Sequence, residues 1–149
     1  MQKKKGIAGE ETIYQGAIYI RLSKEDGDKQ ESNSITNQRE LIYGFLKNKP
    51  DIQVCRERVD DGYSGINFDR PGIKQLLEEV KAGEINCIIV KDLSRFGRNY
   101  IETGRYIQQI FPFLGVRFIA INDGYDSARL ESRAYNIILP FRNLMNDSY

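Results

Sequence analysis

The chain has 149 residues, of which 40% are hydrophobic and 29% are charged, and this composition predicts one soluble globular domain. Its 22 Lys and Arg residues nearly balance 21 Asp and Glu residues, whereas a domain that binds duplex DNA by itself is usually more basic. Histidine is absent, which excludes Ser-His-Asp and Cys-His triads and zinc sites of the HExxH type.

Two further features concern compartment and processing. Cys55 and Cys87 lie in separate apolar runs without CxxC spacing, so we expect free, buried thiols and a cytoplasmic protein. No apolar run approaches the length of a membrane span, so we expect no membrane association. The basic start of the chain is not followed by a signal-peptide core, and residues 1–14 are predicted to be a disordered lead-in.

The first half of the chain alternates strand and helix patterns. An apolar run predicts a strand over residues 17–23, and a helix over 34–47 follows with Ser32 or Ser34 as its N-cap. The apolar face of that helix consists of Ile35, Ile42, Phe45 and Leu46. A second strand is predicted over 52–59, followed by a turn-rich loop over 60–65.

The second half continues the alternation. Asp69 is the predicted N-cap of a helix that has Pro71 in its first turn and ends at Gly83. Its apolar stripe is Ile73, Leu76, Leu77 and Val80. Strands are predicted over 85–90 and 116–121, with a helix over about 98–111 between them that Pro112 and Gly115 end, and a turn over 122–124.

This order of elements predicts an α/β fold: a mostly parallel sheet of four to five strands with helices on both faces. The tail over 129–149 differs, because apolar residues at helical spacing, interrupted by Pro140, indicate the start of a helical segment that is cut short. In a parallel sheet, the loops after the first three strands open at one edge, where ligands bind.

Those three loops carry arginines and a serine. Arg21 and Ser23 follow the first strand, Arg70 opens a helix, and Arg95 and Arg98 are three apart, so a helical turn would place them side by side. Guanidinium groups around a hydroxyl suit a phosphodiester, because phosphoryl transfer depends on positioning and charge neutralisation. The alternative is that each arginine pairs with a nearby acid, for instance Asp92 or Glu102.

Other chemistries lack their residues. The sequence contains no GxxxxGK[ST] loop, and residues 62–65 do not form GxGxxG. Signalling receiver domains share this architecture but need an acidic pocket, whereas the first strand here ends in Arg and Ser. Asp60 and Asp61 at the end of the second strand make a metal site there an open alternative, although no further carboxylate elsewhere in the sequence is placed to complete it.

Four motifs in order resemble the catalytic domain of the serine recombinases, the resolvase/invertase family, and especially the large transposon- and phage-type integrases. The matching segments are Tyr19-x-Arg21-x-Ser23, Ser34-Ile35-x-x-Gln38, Asp61-x-x-Ser64-Gly65 with Arg70-Pro71-Gly72, and Asp92-Leu93-Ser94-Arg95-Phe96-Gly97-Arg98. The resemblance implies a resolvase-like three-layer catalytic domain over residues 15–128.

The resemblance also implies residue roles. Ser23 would be the nucleophile, and Arg21, Arg70, Arg95 and Arg98 would be catalytic and bind the DNA phosphate. Supporting positions would be Tyr19, Gln38 as the active-site glutamine, Asp61, Ser64 and Ser94. In small resolvases an aspartate occupies the position of Ser94, so the general acid or base stays unassigned. The loop between Ser23 and Gln38 is longer than in small resolvases, which favours the large-integrase branch.

The implied reaction is strand exchange in double-stranded DNA through a 5′-phosphoserine link and a free 3′ hydroxyl. The full-length protein would act as a homo-oligomer, a dimer that forms a tetramer at synapsis, with no metal, ATP or other small-molecule cofactor. The helical tail would lead to an oligomerisation helix and DNA-binding domains, so we expect the isolated fragment to be inactive. Two alternatives remain: a non-enzymatic phosphate- or nucleic-acid-binding module, and a signalling domain of similar architecture.

Overall fold

The computed structural model describes residues 12–23 and 34–129. The predictions for residues 1–11, for the loop over 24–33 and for the tail from residue 130 onward lie outside the described residues. Within the described part, no helix is long and apolar enough to cross a membrane.

A five-stranded sheet forms the centre of the domain. Its strands are β1 (Tyr14–Leu22), β2 (Ile52–Asp61), β3 (Cys87–Val90), β4 (Arg117–Ala120) and β5 (Tyr125–Asp126). They lie in the order β2-β1-β3-β4-β5, and all neighbours are parallel except β4 and β5. The predicted mostly parallel α/β sheet is confirmed. Strand β1 begins at Tyr14, a residue that the sequence assigns to the lead-in.

Helices cover both faces of the sheet, as predicted. They are α1 (Ile35–Leu46), α2 (Pro71–Lys81), α3 (Leu93–Phe96), α4 (Tyr100–Arg105), a π-helical turn (Tyr106–Ile110) and α5 (Phe111–Leu114). Helix α1 packs on one face through Ile42, and its N-cap is Ser34, one of the two predicted. The predicted α2 stripe packs on the other face together with Ile107 and Phe111. The result is the expected three-layer arrangement.

The start of α2 differs from the prediction. Arg70, not Asp69, occupies the N-cap position, and Asp69 is an exposed residue that pairs with Lys74 at 2.7 Å. The first-turn amides of Gly72 and Ile73 donate to the Asp60 carboxylate at the end of β2, at 2.7 and 3.0 Å. A buried carboxylate from a neighbouring strand therefore caps α2, because it needs those donors more than a solvated one does.

The predicted single helix over 98–111 is also wrong in its bounds. Residues 97–99 separate α3 from α4, so Arg95 and Arg98 do not share a helical turn. At the other end, Pro112 lies inside the helical stretch, which continues to Leu114 and ends at Gly115 with a φ of +75°. The π-helical turn before Pro112 widens the helix where a proline would otherwise clash with the preceding turn.

Candidate active site

The candidate site lies at the carboxyl edge of the sheet between β1 and β3. These strands are neighbours, but the chain leaves β1 towards α1 on one face and leaves β3 towards α3 on the other. Such a reversal opens a crevice at the strand ends. Ser23 follows the last residue of β1 directly and is half-buried there.

Arg21 lies under this edge and is only 1% exposed. Its Nε donates to the carbonyl oxygen of Arg95 at 3.1 Å, its Nη2 to that of Ser94 at 2.7 Å, and its Nη1 to that of Tyr63 at 3.1 Å. Its own carbonyl oxygen accepts hydrogen bonds from Arg95 Nη1 and from Gln38 Nε2, both at 2.9 Å. Arg21 therefore joins β1 to α3 and to the loop after β2, and Gln38 joins α1 to the same point.

Arg70 is equally buried and makes a parallel set of contacts. Its Nε donates to the carbonyl oxygen of Asn67 at 2.9 Å, its Nη2 to that of Phe96 at 2.7 Å, and its Nη1 to the hydroxyl of Tyr19 at 2.7 Å. The guanidinium carbon also lies 4.9 Å from the centre of the Phe68 ring.

Together the two arginines complete the hydrogen bonding at the end of α3. The last carbonyls of a helix have no partner within the helix. In α3 the Leu93 carbonyl accepts from the amide of Gly97, and the next three carbonyls accept from Arg21 and Arg70. The guanidinium groups thus fix the turn that carries Arg95 and leads to Arg98.

Gly65 brings the loop after β2 onto this cluster. Its carbonyl oxygen accepts a hydrogen bond from the amide of Arg98 at 2.6 Å. A Cβ atom placed on Gly65 would lie 2.7 Å from Arg21 Nη2 and 2.9 Å from Arg98 Cγ. Arg21 and Arg98 therefore both approach a residue that has no side chain. Arg98 is half-buried, and Arg95 is 6% exposed.

The start of α3 holds a carboxylate close to Arg95. Asp92 is the N-cap, its Oδ1 accepts from the Ser94 hydroxyl at 2.5 Å, and the same atom lies 3.8 Å from Arg95 Nε. The alternative of arginine–acid pairing thus applies to Arg95, but Glu102 pairs with Arg105 instead of a site arginine.

Asp61, the last residue of β2, and Ser64, in the loop after it, are both exposed. Ser64 accepts a hydrogen bond from the amide of Ile66, which shapes the loop. The buried acid is instead Asp60, which accepts the Tyr19 hydroxyl at 2.6 Å. Strand alternation could have indicated this, because Asp60 shares its face with Arg58, which contacts Glu79 of α2.

The metal site left open at Asp60 and Asp61 is not supported. Across residues 12–23 and 34–129, no group of three or more His, Cys, Asp and Glu side chains is placed to hold a metal ion. Asp60 is already bound to Tyr19, Gly72 and Ile73. Burial raises the pKa of the Tyr19 hydroxyl above its usual value, the charge of Arg70 opposes this shift, and the hydrogen bond to Asp60 reinforces it. Tyr19 therefore stays protonated as the donor to Asp60.

These observations describe an α/β domain that gathers arginines at the carboxyl edge of a mostly parallel sheet, where Ser23 directly follows β1. The model of the Resolvase N-terminal domain family matches residues 16–143. The chain therefore belongs to the resolvase family and contains the N-terminal domain of that family.

Solved structures show the same fold. The N-terminal catalytic domain of TP901-1 integrase is 22% identical with a TM-score of 0.73, covering 90% of this chain and 97% of that one. A resolvase family site-specific recombinase from Streptococcus pneumoniae is 24% identical with a TM-score of 0.65, covering 91% of each. The C-terminal catalytic domain of ISC1926 TnpA, an IS607-like serine recombinase, is 24% identical with a TM-score of 0.58, covering 71% and 68%.

Proposed function

We propose that Ser23 is the nucleophile of a DNA strand-exchange reaction. The resolvase family assigns site-specific recombination to this domain in general. The observation that supports the specific role is the position of Ser23, which is half-buried at the carboxyl end of β1. Ser23 lies two residues after Arg21, and the Arg21 side chain binds α3. Ser23 thus lies partly exposed at the carboxyl end of the strand, while the Arg21 guanidinium is fixed beneath the same edge.

The proposed step conserves the phosphodiester bond energy. Ser23 Oγ forms a bond to phosphorus, the bond from phosphorus to the 3′ oxygen breaks, the serine proton is released and the 3′ oxygen gains a proton. The 5′-phosphoserine link is later attacked by a 3′ hydroxyl in the reverse sense. Exchange of partners between these steps would excise or integrate a mobile element.

The arginines supply the positive charge that this transition state needs. We assign direct phosphate contact to Arg98, which is half-buried, and to Arg95, which is 6% exposed, because both follow β3 on the segment that Arg21 and Arg70 hold in place. Arg21 and Arg70 add fixed charge from within the fold, since their donors hold α3 carbonyls. Removing one charged donor from such a site typically costs about 3 kcal/mol of transition-state stabilisation.

The wider context is part of the same proposal. The partner is double-stranded DNA, and the full-length cytoplasmic protein acts as a dimer that pairs into a tetramer at synapsis. Residues 15–128 are the catalytic unit in this proposal.

The experiment that tests this proposal also identifies the DNA sites on which the protein acts. Full-length protein is expressed in its host, and covalent protein–DNA adducts are recovered by denaturing detergent precipitation and sequenced. Wild-type protein should yield adducts at discrete sites, and Ser23→Ala should yield none while its thermal stability is unchanged. Recovered sites, prepared as nicked duplexes, then serve as substrates. Arg95→Ala and Arg98→Ala should slow cleavage by more than they weaken DNA binding.

A non-enzymatic binding module is the second candidate, and the engagement of Arg21 and Arg70 with backbone carbonyls favours it. Under that function, wild-type protein binds DNA but forms no adduct and does not cleave, and the arginine variants weaken DNA binding only. A signalling domain would show neither adducts nor DNA affinity.

A further inference from the structure

We propose that Asp60 is a positioning residue that orients the Arg70 guanidinium through Tyr19, and with it the α3 turn that carries Arg95. The inference rests on the proposed function and goes beyond it, because it assigns to the reaction a residue outside the motifs that resemble the family. Asp60 touches no reacting atom and acts through two other side chains, those of Tyr19 and Arg70.

The three side chains form a chain of hydrogen bonds with only one possible direction. A guanidinium can only donate, and an ionised carboxylate can only accept. Arg70 Nη1 therefore donates to the Tyr19 oxygen at 2.7 Å, and the Tyr19 hydroxyl donates to Asp60 Oδ2 at 2.6 Å. Arg70 and Asp60 are each 1% exposed and Tyr19 is 0% exposed, so water does not compete for these bonds.

Asp60 is itself held rigidly. Its two oxygens accept the Gly72 and Ile73 amides, so the carboxylate lies at the start of α2, where a negative charge is favoured. A Cβ atom on residue 72 would lie 2.9 Å from both carboxylate oxygens. The absence of a side chain on Gly72 is what allows this close approach.

Arg70 transmits this anchor to the site. Its other donors hold the carbonyls of Asn67 and Phe96, so one guanidinium ties the loop after β2 to the last residue of α3. Phe96 follows Arg95 directly and precedes Arg98 by two residues. A shift of Arg70 therefore moves the turn on which the proposed phosphate ligands lie. Displacements of about 1 Å in such sites cost up to about a hundredfold in rate.

A purely structural role would give a different result in a double-mutant cycle. Tyr19→Phe removes one oxygen atom and leaves the ring, and Arg70→Lys removes the fork but keeps the charge. If Tyr19 acts through Arg70, its effect on the cleavage rate is lost in the Arg70→Lys background. If Tyr19 only stabilises the fold, the two effects on rate are independent.

The test uses full-length protein and a nicked duplex of a recovered site, with single-turnover cleavage, DNA affinity and thermal unfolding measured for each variant. Tyr19→Phe and Asp60→Asn should each slow cleavage about tenfold or more, with DNA affinity changed less than threefold. Asp126→Asn is the matched control, because Asp126 is also a buried partner of an arginine, Arg117, in a different part of the sheet. It should lower the melting temperature without slowing cleavage by folded protein.

The outcomes separate this inference from the proposed function. No adduct from wild-type protein overturns the proposed function. The positioning role alone is overturned if wild-type protein forms normal adducts and both Tyr19→Phe and Asp60→Asn cleave at the wild-type rate. It is also overturned if the two effects on rate in the double-mutant cycle are additive. If Asp60→Asn does not fold, the cleavage rate of Tyr19→Phe tests the positioning role instead. If Tyr19→Phe does not fold either, the network is structural and the inference is wrong.

Discussion

Arg21 and Arg95 hold each other through reciprocal hydrogen bonds. Arg21 Nε donates to the carbonyl oxygen of Arg95 at 3.1 Å, and Arg95 Nη1 donates to the carbonyl oxygen of Arg21 at 2.9 Å. Each of these two buried arginines is thus bound to the backbone carbonyl of the other. The arrangement ties the strand that leads to Ser23 to the helix that carries a proposed phosphate ligand.

This relationship predicts that Arg21→Lys is not conservative. A lysine cannot donate in three fixed directions to the carbonyls of Tyr63, Ser94 and Arg95. Leaving two buried carbonyls unsatisfied should lower the free energy of unfolding by about 2–3 kcal/mol in urea titrations. Arg39→Lys is the control, because Arg39 pairs with Glu57 at a partly exposed position and should change stability by less than about 1 kcal/mol. Equal losses for the two variants would contradict the role given to Arg21.

Gly65→Ala should disrupt the site through one methyl group. The new Cβ would meet Arg21 Nη2 at 2.7 Å and Arg98 Cγ at 2.9 Å, so the loop and the arginines must separate. We expect single-turnover cleavage of a recovered site to fall by about tenfold or more. Gly44→Ala, in the exposed part of α1 with no atom within 4 Å of its Cβ, should cleave normally and gain about 1 kcal/mol of stability. Wild-type cleavage by Gly65→Ala would show that this close approach is dispensable.

The Asp126 carboxylate should make stability depend on pH at the acidic end. Burial acts to raise its pKa, but the hydrogen bonds and charge of Arg117 and the amide of Ala128 bring the pKa below its usual value. Because the folded state binds this proton less tightly than the unfolded state, the contribution is present above the unfolded pKa of about 4 and is lost as the pH falls through the folded pKa.

Asp126→Asn should therefore cost about 3 kcal/mol of unfolding free energy at pH 7, because the buried Arg117 loses its buried acidic partner and keeps only the more exposed Asp51. The gap between wild type and variant should narrow as the pH is lowered from about 5 towards about 2. A gap that stays constant over this range in urea titrations would contradict the depressed pKa.

The two thiols should differ in reactivity. Cys87 is fully buried in β3, and burial raises its pKa to about 12, so little thiolate forms at a pH of about 8. Cys55 is half-buried where the register between β1 and β2 shifts, and both cysteines are free, as predicted. Iodoacetamide should modify Cys55 in the native protein, and Cys87 only after denaturation, as read by peptide mass spectrometry. Modification of Cys87 at the rate of Cys55 would contradict this burial.

The sheet, the apolar stripe of α2 and the Ser34 N-cap could be predicted from the sequence, because each depends on local periodicity or on a local hydrogen bond. Predictions from the sequence were wrong where a residue distant in the chain determines the local structure. Asp69 is a better cap than Arg70 by propensity, yet Asp60 takes that role from another strand. Pro112 predicts the end of a helix, but the π-helical turn before it allows the helix to continue.

For the site, the sequence indicated which residues gather at the edge but not how they are bound. Its pattern places Arg21 and Arg70 at this edge, and the structure adds that donors of both side chains hold α3 carbonyls. Short α3 leaves three carbonyls open, and only tertiary contacts bring guanidinium groups to them. The expectation that Cys55 is buried is wrong for a similar reason, because the register shift lies beside it.

The most direct measurement is the identity of the side chain joined to DNA. Adducts of the full-length protein are digested with nuclease and protease, and the modified peptide is sequenced by mass spectrometry. The proposal predicts a 5′-linked nucleotide on the oxygen of Ser23, and no adduct in Ser23→Ala. A nucleotide on any other residue, or adducts that persist in Ser23→Ala, would contradict it.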